Sequence, residues 1–447
     1  GFSRNTRVFI ASAFLSSAAF GLFFVNFNLY LAARGFDAAT IGLIATTSGL
    51  SIAAAAVPAS ILANRLGRRL TMLLGTGAVV LALVGFLTLD SLGAIFGLTV
   101  LYGIGQQLLS VPVSPFLAEN SRPEQRNEVF ALHAATFNLS QVVVGLSAGA
   151  LVSLVGLGGA GSANQIASFH LLLVGMLALI GGTSLMLALI SDDRHDARAA
   201  AAAASVVAPP ESLQPAYMAA RMRGRLSRVG IHVGDTRLFL KLIVPGFLIA
   251  VGAGQVLPFL NLYVVGRFGL DLSTTNAVFA VSALGTMIAI LIQPVLARRY
   301  GKIQSVVLVQ GASIPFIIVL GFAPWIGLVI VGMTVRNALM NAANPIFGAF
   351  VMERVKPLER ATLSATMSMT WSIGWAIGGI YYSTVQGTLG FARGYDVNWL
   401  TIIAFYSAAT TLYWLWFGRP ERAARAAAAR AAASRGEAAG QPANPAP

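Results

Sequence analysis

Cysteine is absent from this chain of 447 residues, and charged residues make up only 10% of it. The first absence excludes disulfides and thiolate metal sites. The second leaves a sequence that is 56% hydrophobic, with more apolar surface than a soluble core of this length can bury. The composition therefore excludes an ordinary soluble protein and predicts a protein of the lipid bilayer.

Nucleotide-binding signatures are also missing. No G-x(4)-G-K-[ST] phosphate loop occurs, so the sequence offers no site for ATP hydrolysis. A GxGxxG match at Gly156, Gly158 and Gly161 has no strand before it and is interpreted as a coincidence. We expect neither an enzyme nor a bound cofactor.

Long apolar segments make up most of the chain. A window of about 20 residues, the length of helix that crosses about 30 Å of hydrocarbon, detects them. Numbered as spans 1 to 12, they lie near residues 8–33, 39–63, 70–88, 93–118, 128–155, 166–190, 237–265, 274–297, 303–321, 325–352, 361–386 and 397–417. The sequence predicts an all-α polytopic membrane protein with twelve transmembrane helices.

Basic residues are distributed unevenly between the loops. Of the 30 Lys and Arg residues, 26 lie in the two termini and in alternate loops, whereas only Arg34, Arg267 and Arg393 lie in the opposite loops. Arg336 lies inside span 10. By the positive-inside rule both termini are expected in the cytosol, so the net charge of +14 reflects topology and anionic headgroups rather than a nucleic-acid partner.

The chain contains an internal repeat whose two copies are separated by a constant offset. "ANRLGRR" at 63–69 matches "ARRYGK" at 297–302, and with the same offset "ENSRPEQR" at 119–126 matches "ERVKPLER" at 353–360. "NLY" at 28–30 matches "NLY" at 261–263, one residue out of register. The repeat predicts two pseudo-symmetric bundles of six helices.

Four regions follow from the spans and the repeat. The N-terminal bundle is expected at 1–190 and the C-terminal bundle at 237–417. The segment 191–236 contains an alanine run and a basic stretch and is predicted to be a cytosolic linker, while 418–447 is predicted to be a cytosolic, partly disordered tail.

Twelve spans in two halves, repeated G-R-[RK] loops and repeated Glu-x6-Arg motifs resemble the major facilitator superfamily. The resemblance covers about residues 8–417 and implies alternating access, with two bundles rocking around a site near the bilayer midplane lined mainly by spans 1, 4, 7 and 10. The sequence departs from the family at Asn64, where Asp is common, and at Ser60, where Gly is common.

Charged residues of the repeated loops are predicted to form a gate. Acids and bases recur together at one membrane face, so charge-assisted pairs could join the cytosolic ends and open when the halves rock apart. Alternatively, the arginines only anchor the topology. The predicted gate residues are Asn64, Arg65, Arg68, Glu119, Arg126, Arg299, Lys302, Glu353 and Arg360.

Polar residues inside the spans are candidates for solute binding, because burying them in lipid is costly. Span 10 carries a polar stripe, and span 4 carries its repeat counterpart. Interhelical hydrogen bonding is the alternative for the polar residues, and packing is the alternative for the two tryptophans. The candidates are Arg336, Asn337, Asn341, Asn344, Gln107, Ser110, Asn28, Gln255, Asn261, Tyr263, Trp371 and Trp375.

Arg336 is predicted to be the electrostatic centre of the site. It lies near mid-membrane, about 25 Å along the helix from Glu353 at about 1.5 Å per residue. Its insertion costs at least about 2.5–3.5 kcal/mol, and no span offers an acid near the midplane to pair with it. An anionic ligand would satisfy its planar fork, although hydrogen bonds to Asn, Gln and carbonyls could instead hold spans together.

These patterns predict a monomeric secondary transporter for a small organic solute, preferably an anion, in a bacterial cytoplasmic membrane. Proton-coupled drug efflux is the alternative. It is disfavoured because members that perform it commonly use a buried acid, and all 16 acids here lie outside the span centres. A third possibility, of another class, is a transporter-like receptor or scaffold that does not transport.

Overall fold

The computed structural model describes residues 2–122, 125–156, 162–191 and 235–423. Its N-terminal half consists of α1 (Arg4–Ala33), α2 (Ala38–Leu66), α3 (Arg68–Thr88), α4 (Leu92–Ser110), α5 (Val113–Glu119), α6 (Arg126–Leu154) and α7 (Ser162–Ala188). Its C-terminal half consists of α8 (Thr236–Gly254), α9 (Leu260–Phe268), α10 (Leu272–Tyr300), α11 (Lys302–Phe322), α12 (Ile326–Arg354) and α13 (Pro357–Tyr413). Most of the predicted linker and tail lies outside the described residues.

Ten helical segments are long and apolar enough to cross a membrane, and Leu272–Ile288 adds a shorter apolar helix. One of the ten, Thr366–Ala423, contains two crossings, because α13 changes direction at Gly390, whose φ of 71° suits glycine. Hydroxyl contacts such as Tyr381 to Thr401 at 2.9 Å join its two limbs. The described residues thus contain the twelve predicted crossings, and the predicted fold class is confirmed.

Two crossings are broken. Span 4 consists of α4 and α5, with Pro112 at the start of α5. Span 7 consists of α8 and α9, with a 3-10 turn at Leu257–Phe259 between them that contains Pro258. Proline has no amide hydrogen, so both breaks occur where the helical hydrogen-bond ladder is interrupted.

The helices of the chain form a structure with two distinct ends. We call the end with the loops at 64–69 and 353–360 the basic end, and the other the opposite end. Each bundle has the same anchor at the opposite end: Arg34 donates to the Tyr30 hydroxyl at 2.9 Å, and Arg267 donates to the Tyr263 hydroxyl. The two tyrosines end the matched "NLY" segments, so the pseudo-symmetry extends to side-chain contacts.

The two bundles meet near the opposite end through small residues. A Cβ on Gly42 of α2 would lie 2.8 Å from the Ser383 Cβ of α13, and one on Gly145 of α6 would lie 2.9 Å from the Ala280 Cβ of α10. The Ser383 hydroxyl also donates to the Ala39 carbonyl at 2.7 Å. Small residues allow this close backbone approach between membrane helices.

Candidate solute-binding cavity

A cavity of about 630 Å³ lies between the two bundles, large enough for a small organic molecule. The N-terminal bundle contributes three aromatic side chains to its described lining, namely Phe20, Phe24 and Phe137. The C-terminal bundle contributes the rest of that lining, from α8 to α12, both limbs of α13 and the break in span 7.

Arg336 of α12 is the one charged side chain among the described residues that line the cavity. It is only 4% exposed, and it donates to Asn337 Oδ1 at 2.9 Å and to the Tyr406 hydroxyl. The Tyr406 ring centroid lies 5.4 Å from the guanidinium carbon. Because these partners are neutral, they solvate the positive charge but do not neutralise it.

The predicted polar stripe on α12 continues from Arg336. Asn337 donates to the Ser282 hydroxyl of α10 at 2.9 Å, and Asn341 donates to the Asn337 carbonyl at 2.9 Å. Both asparagines line the main cavity and also a smaller cavity of about 210 Å³ between α1, α6, α10 and α12. The Asn344 side chain lies outside the part of the chain that the structure describes.

Sequence reasoning missed Gln310 of α11. It lines the main cavity, is 7% exposed, and its Oε1 atom accepts no hydrogen bond from the described residues. The available signal was its polarity in the middle of span 9. Tyr406 was also missed, because nothing near it in the sequence shows that it meets an arginine 70 residues earlier.

An aromatic pair completes one wall of the cavity. The ring centroids of Trp371 and Trp375 lie 6.3 Å apart on the first limb of α13, and both residues line the cavity. The Trp375 indole N–H is buried and has no partner among the described residues.

Two predicted site residues instead join the bundles. Asn28 of α1 donates to the Pro258 carbonyl at 2.6 Å, and Asn261 of α9 donates to the Val25 carbonyl at 2.7 Å. The two asparagines begin the matched "NLY" segments, and Val25 and Pro258 precede them by the same interval, so the two bonds are related by the pseudo-symmetry. These asparagines hold the bundles together toward the opposite end and do not line the main cavity.

Four other candidates also lie away from the described cavity lining. Tyr263 is 1% exposed and donates to the Gly321 carbonyl at 2.6 Å. Gln255 is fully buried at the break in span 7, and neither side-chain amide atom has a partner among the described residues. Gln107 and Ser110 hydrogen-bond to each other at 3.2 Å.

The predicted gate residues form ion pairs inside each bundle. Arg68 contacts Glu119 at 3.1 Å in the N-terminal bundle, and Lys302 contacts Glu353 in the C-terminal bundle. These pairs therefore do not join the two bundles in this conformation. Arg65 is exposed, and the side chains of Asn64, Arg126, Arg299 and Arg360 lie outside the described residues.

Two six-helix bundles around a shared cavity define a multi-pass protein of the transporter type. The chain matches the model of the Major Facilitator Superfamily over residues 9–379 and belongs to that family, as its motifs predicted. No curated protein matches the sequence.

Solved structures of other proteins share the fold. A D-xylose–proton symporter has a TM-score of 0.72 and 11% identity, with 92% of this chain and 96% of that chain covered. A nucleoside transporter has a TM-score of 0.68 and 15% identity, with 93% and 100% covered. A human organic anion transporter has a TM-score of 0.59 and 16% identity, with 92% and 99% covered. At these identities the likeness shows the fold alone.

Proposed function

We propose that this protein is a secondary transporter that moves a small organic anion across a bacterial cytoplasmic membrane by alternating access, working as a monomer. The observation that carries the proposal is Arg336, a buried cation on the cavity wall whose described partners are all neutral. A bound carboxylate or phosphate would supply both the missing negative charge and oxygens for a bidentate contact.

The placement of the contacts between bundles supports an inward-facing state. The cross-bundle hydrogen bonds of Asn28, Asn261 and Ser383 lie toward the opposite end. We assign the basic end, with both termini and the linker, to the cytosol because of the charge asymmetry of the loops. In this assignment the closed end faces outward.

The topology can be tested with single cysteines, because the natural chain contains none. Ala392→Cys, at the opposite end, should react with an impermeant thiol reagent in intact cells. Ser205→Cys, in the predicted linker, should react only after lysis. The reverse pattern would overturn the orientation.

The function can be tested with purified protein in liposomes. Organic anions are added outside liposomes that are either empty or already loaded with an organic anion, with or without a pH gradient. We expect anion uptake or exchange that needs Arg336. Transport of cations driven by the pH gradient would favour drug efflux instead. A folded protein that transports no solute in any arrangement would favour a receptor or scaffold.

A further inference from the structure

We infer that the substrate is an amphipathic monoanion, with a flat aromatic body, one anionic group and a nearby N–H or O–H donor. This inference rests on the proposed function and specifies the substrate class of the same cavity. It begins from the division of the cavity wall between the two bundles.

The charged and hydrogen-bonding side chains of the lining come from the C-terminal bundle, whereas the described N-terminal lining is Phe20, Phe24 and Phe137. The Phe20 ring centroid lies 5.9 Å from that of Phe24 and 6.4 Å from that of Phe137, so the N-terminal wall is an aromatic surface. Aromatic faces favour flat apolar partners. A polyhydroxylated solute would leave its hydroxyl groups without partners on that side, which is unfavourable when they lose water.

The charge of the cavity lining indicates which ligand charge would be balanced there. Arg336 supplies one positive charge, and none of the described lining residues is Asp or Glu. A single anionic group balances this charge. A dianion would bring a second charge into a cavity whose described lining has no second cation, and a cation would be repelled.

Gln310 adds a requirement that charge alone does not impose. Its Oε1 atom is a buried acceptor without a donor among the described residues, on the wall that also carries Arg336. Such an atom has lost water and gained no hydrogen bond, so a ligand with an N–H or O–H group satisfies it on binding. The Trp375 indole N–H, also without a described partner, is a matching donor for an oxygen of the ligand.

Calorimetry on the purified protein can test the inference with four probes: indole-3-acetate, naphthalene-1-acetate, indole-3-acetamide and succinate. We expect indole-3-acetate to bind most tightly. Naphthalene-1-acetate, which lacks the N–H, should bind about five-fold more weakly, and indole-3-acetamide, which lacks the charge, at least about ten-fold more weakly. Succinate should bind at least as weakly as the amide.

Gln310→Met removes the acceptor while keeping the volume of the side chain. It should reduce the preference for indole-3-acetate over naphthalene-1-acetate to about one, as expected for the loss of one hydrogen bond. Undiminished binding of naphthalene-1-acetate shows that the variant is folded. Thr76→Val, at the repeat counterpart of Gln310 outside the described lining, is the matched control and should keep the preference.

The outcomes separate this inference from the proposed function. Tightest binding of succinate, dependent on Arg336, would overturn the aromatic monoanion and leave anion transport standing. Tightest binding of the neutral amide would overturn both. An unchanged preference in Gln310→Met, or no binding of any probe at about 10 mM, would overturn the inference alone.

Discussion

The N-terminal and C-terminal bundles carry the same anchors but different side chains at matched positions around the centre. In the register of the repeated loops, Arg336 is the counterpart of Tyr102, and Gln310 is the counterpart of Thr76. Tyr102 is 4% exposed, accepts a hydrogen bond from Gln106 at 2.8 Å and stacks on Phe23 at 3.9 Å. One position of the repeat thus packs a bundle, while its counterpart brings a charge to the cavity.

The two bundles therefore share their anchoring contacts and differ at Arg336 and Gln310, two side chains that line the cavity. The repeat preserves the Tyr–Arg anchors, the ion pairs of the loops, and two aspartates, Asp37 and Asp271, that cap helices at the opposite end. Arg336 and Gln310 line the cavity at positions where the repeat fails, whereas Asn341 of the cavity keeps a polar counterpart in Gln107.

The largest effect is expected at Arg336, whose counterpart in the repeat is the uncharged Tyr102. Arg336→Ala should reduce anion uptake by about ten-fold to one-hundred-fold, because a charged hydrogen bond contributes about 1.5–3 kcal/mol. Arg336→Lys should retain part of the activity, since it keeps the charge but loses the planar fork. Uptake into liposomes measures both.

The control for this prediction is the counterpart in the other bundle. Tyr102→Phe removes the acceptor of the Gln106 hydrogen bond and should leave uptake within about two-fold, because such a bond contributes about 0.5–1.5 kcal/mol to stability. Normal uptake by Arg336→Ala would show that the two bundles do not differ in function as proposed.

A smaller effect is expected at the matched bonds between bundles. Asn28→Leu and Asn261→Leu should each weaken closure of the opposite end, by about 1 kcal/mol for one hydrogen bond in a membrane. Because the bonds are related by pseudo-symmetry, the two variants should shift the conformational populations equally. Distances between paired spin labels across that end report the shift, and a shift in only one variant would contradict equivalence.

The helix caps at the opposite end should contribute about 0.5–2 kcal/mol each. Asp37 accepts from the Thr40 amide at 3.0 Å, and its repeat counterpart Asp271 accepts from the Thr274 amide at 2.8 Å. Asp37→Ala and Asp271→Ala should lower the thermal midpoint similarly in detergent. A large difference between them would indicate unequal caps.

The Asp37 cap should also depend on pH. Hydrogen bonds from Thr40 lower the pKa of the carboxyl from its ordinary value of 3.8, so its stabilisation is present above 3.8 and is lost as the pH falls through the lowered pKa. Because the Asp37 carboxyl group is mostly exposed, its pH-dependent contribution to stability is small. The difference in midpoint between the natural chain and Asp37→Ala should therefore shrink only in acid.

The smallest effect is expected from the loop ion pairs, which contribute about 0.2–1 kcal/mol when exposed. Glu119→Gln and Glu353→Gln remove contacts within one bundle, to Arg68 and Lys302 respectively. Both should lower the thermal midpoint slightly at low salt, with little change in the distances between bundles. A clear shift of those distances would instead support the gate that was predicted from the sequence.

The fold could be predicted because it depends on features that recur along the whole sequence. Every span is apolar, basic residues lie in alternate loops, and the loop motifs occur once in each half of the chain. Arg336 was recognisable because a charge in a span is costly wherever its partners lie. Gln310 and Tyr406 were not recognised, since their roles depend on which helices pack together. Asn28 was placed in the cavity because its position along span 1 does not indicate which direction its side chain faces.

The turn at Gly390 has a mechanical consequence. One limb of α13 holds Ser383 against the N-terminal bundle, and the other holds Tyr406 against Arg336, with a single non-helical residue between them. An anion bound to Arg336, as proposed, would therefore contact the same helix that closes the opposite end. If binding and closure are coupled through this helix, any change that loosens the opposite end alters the affinity for the anion by an equal free energy.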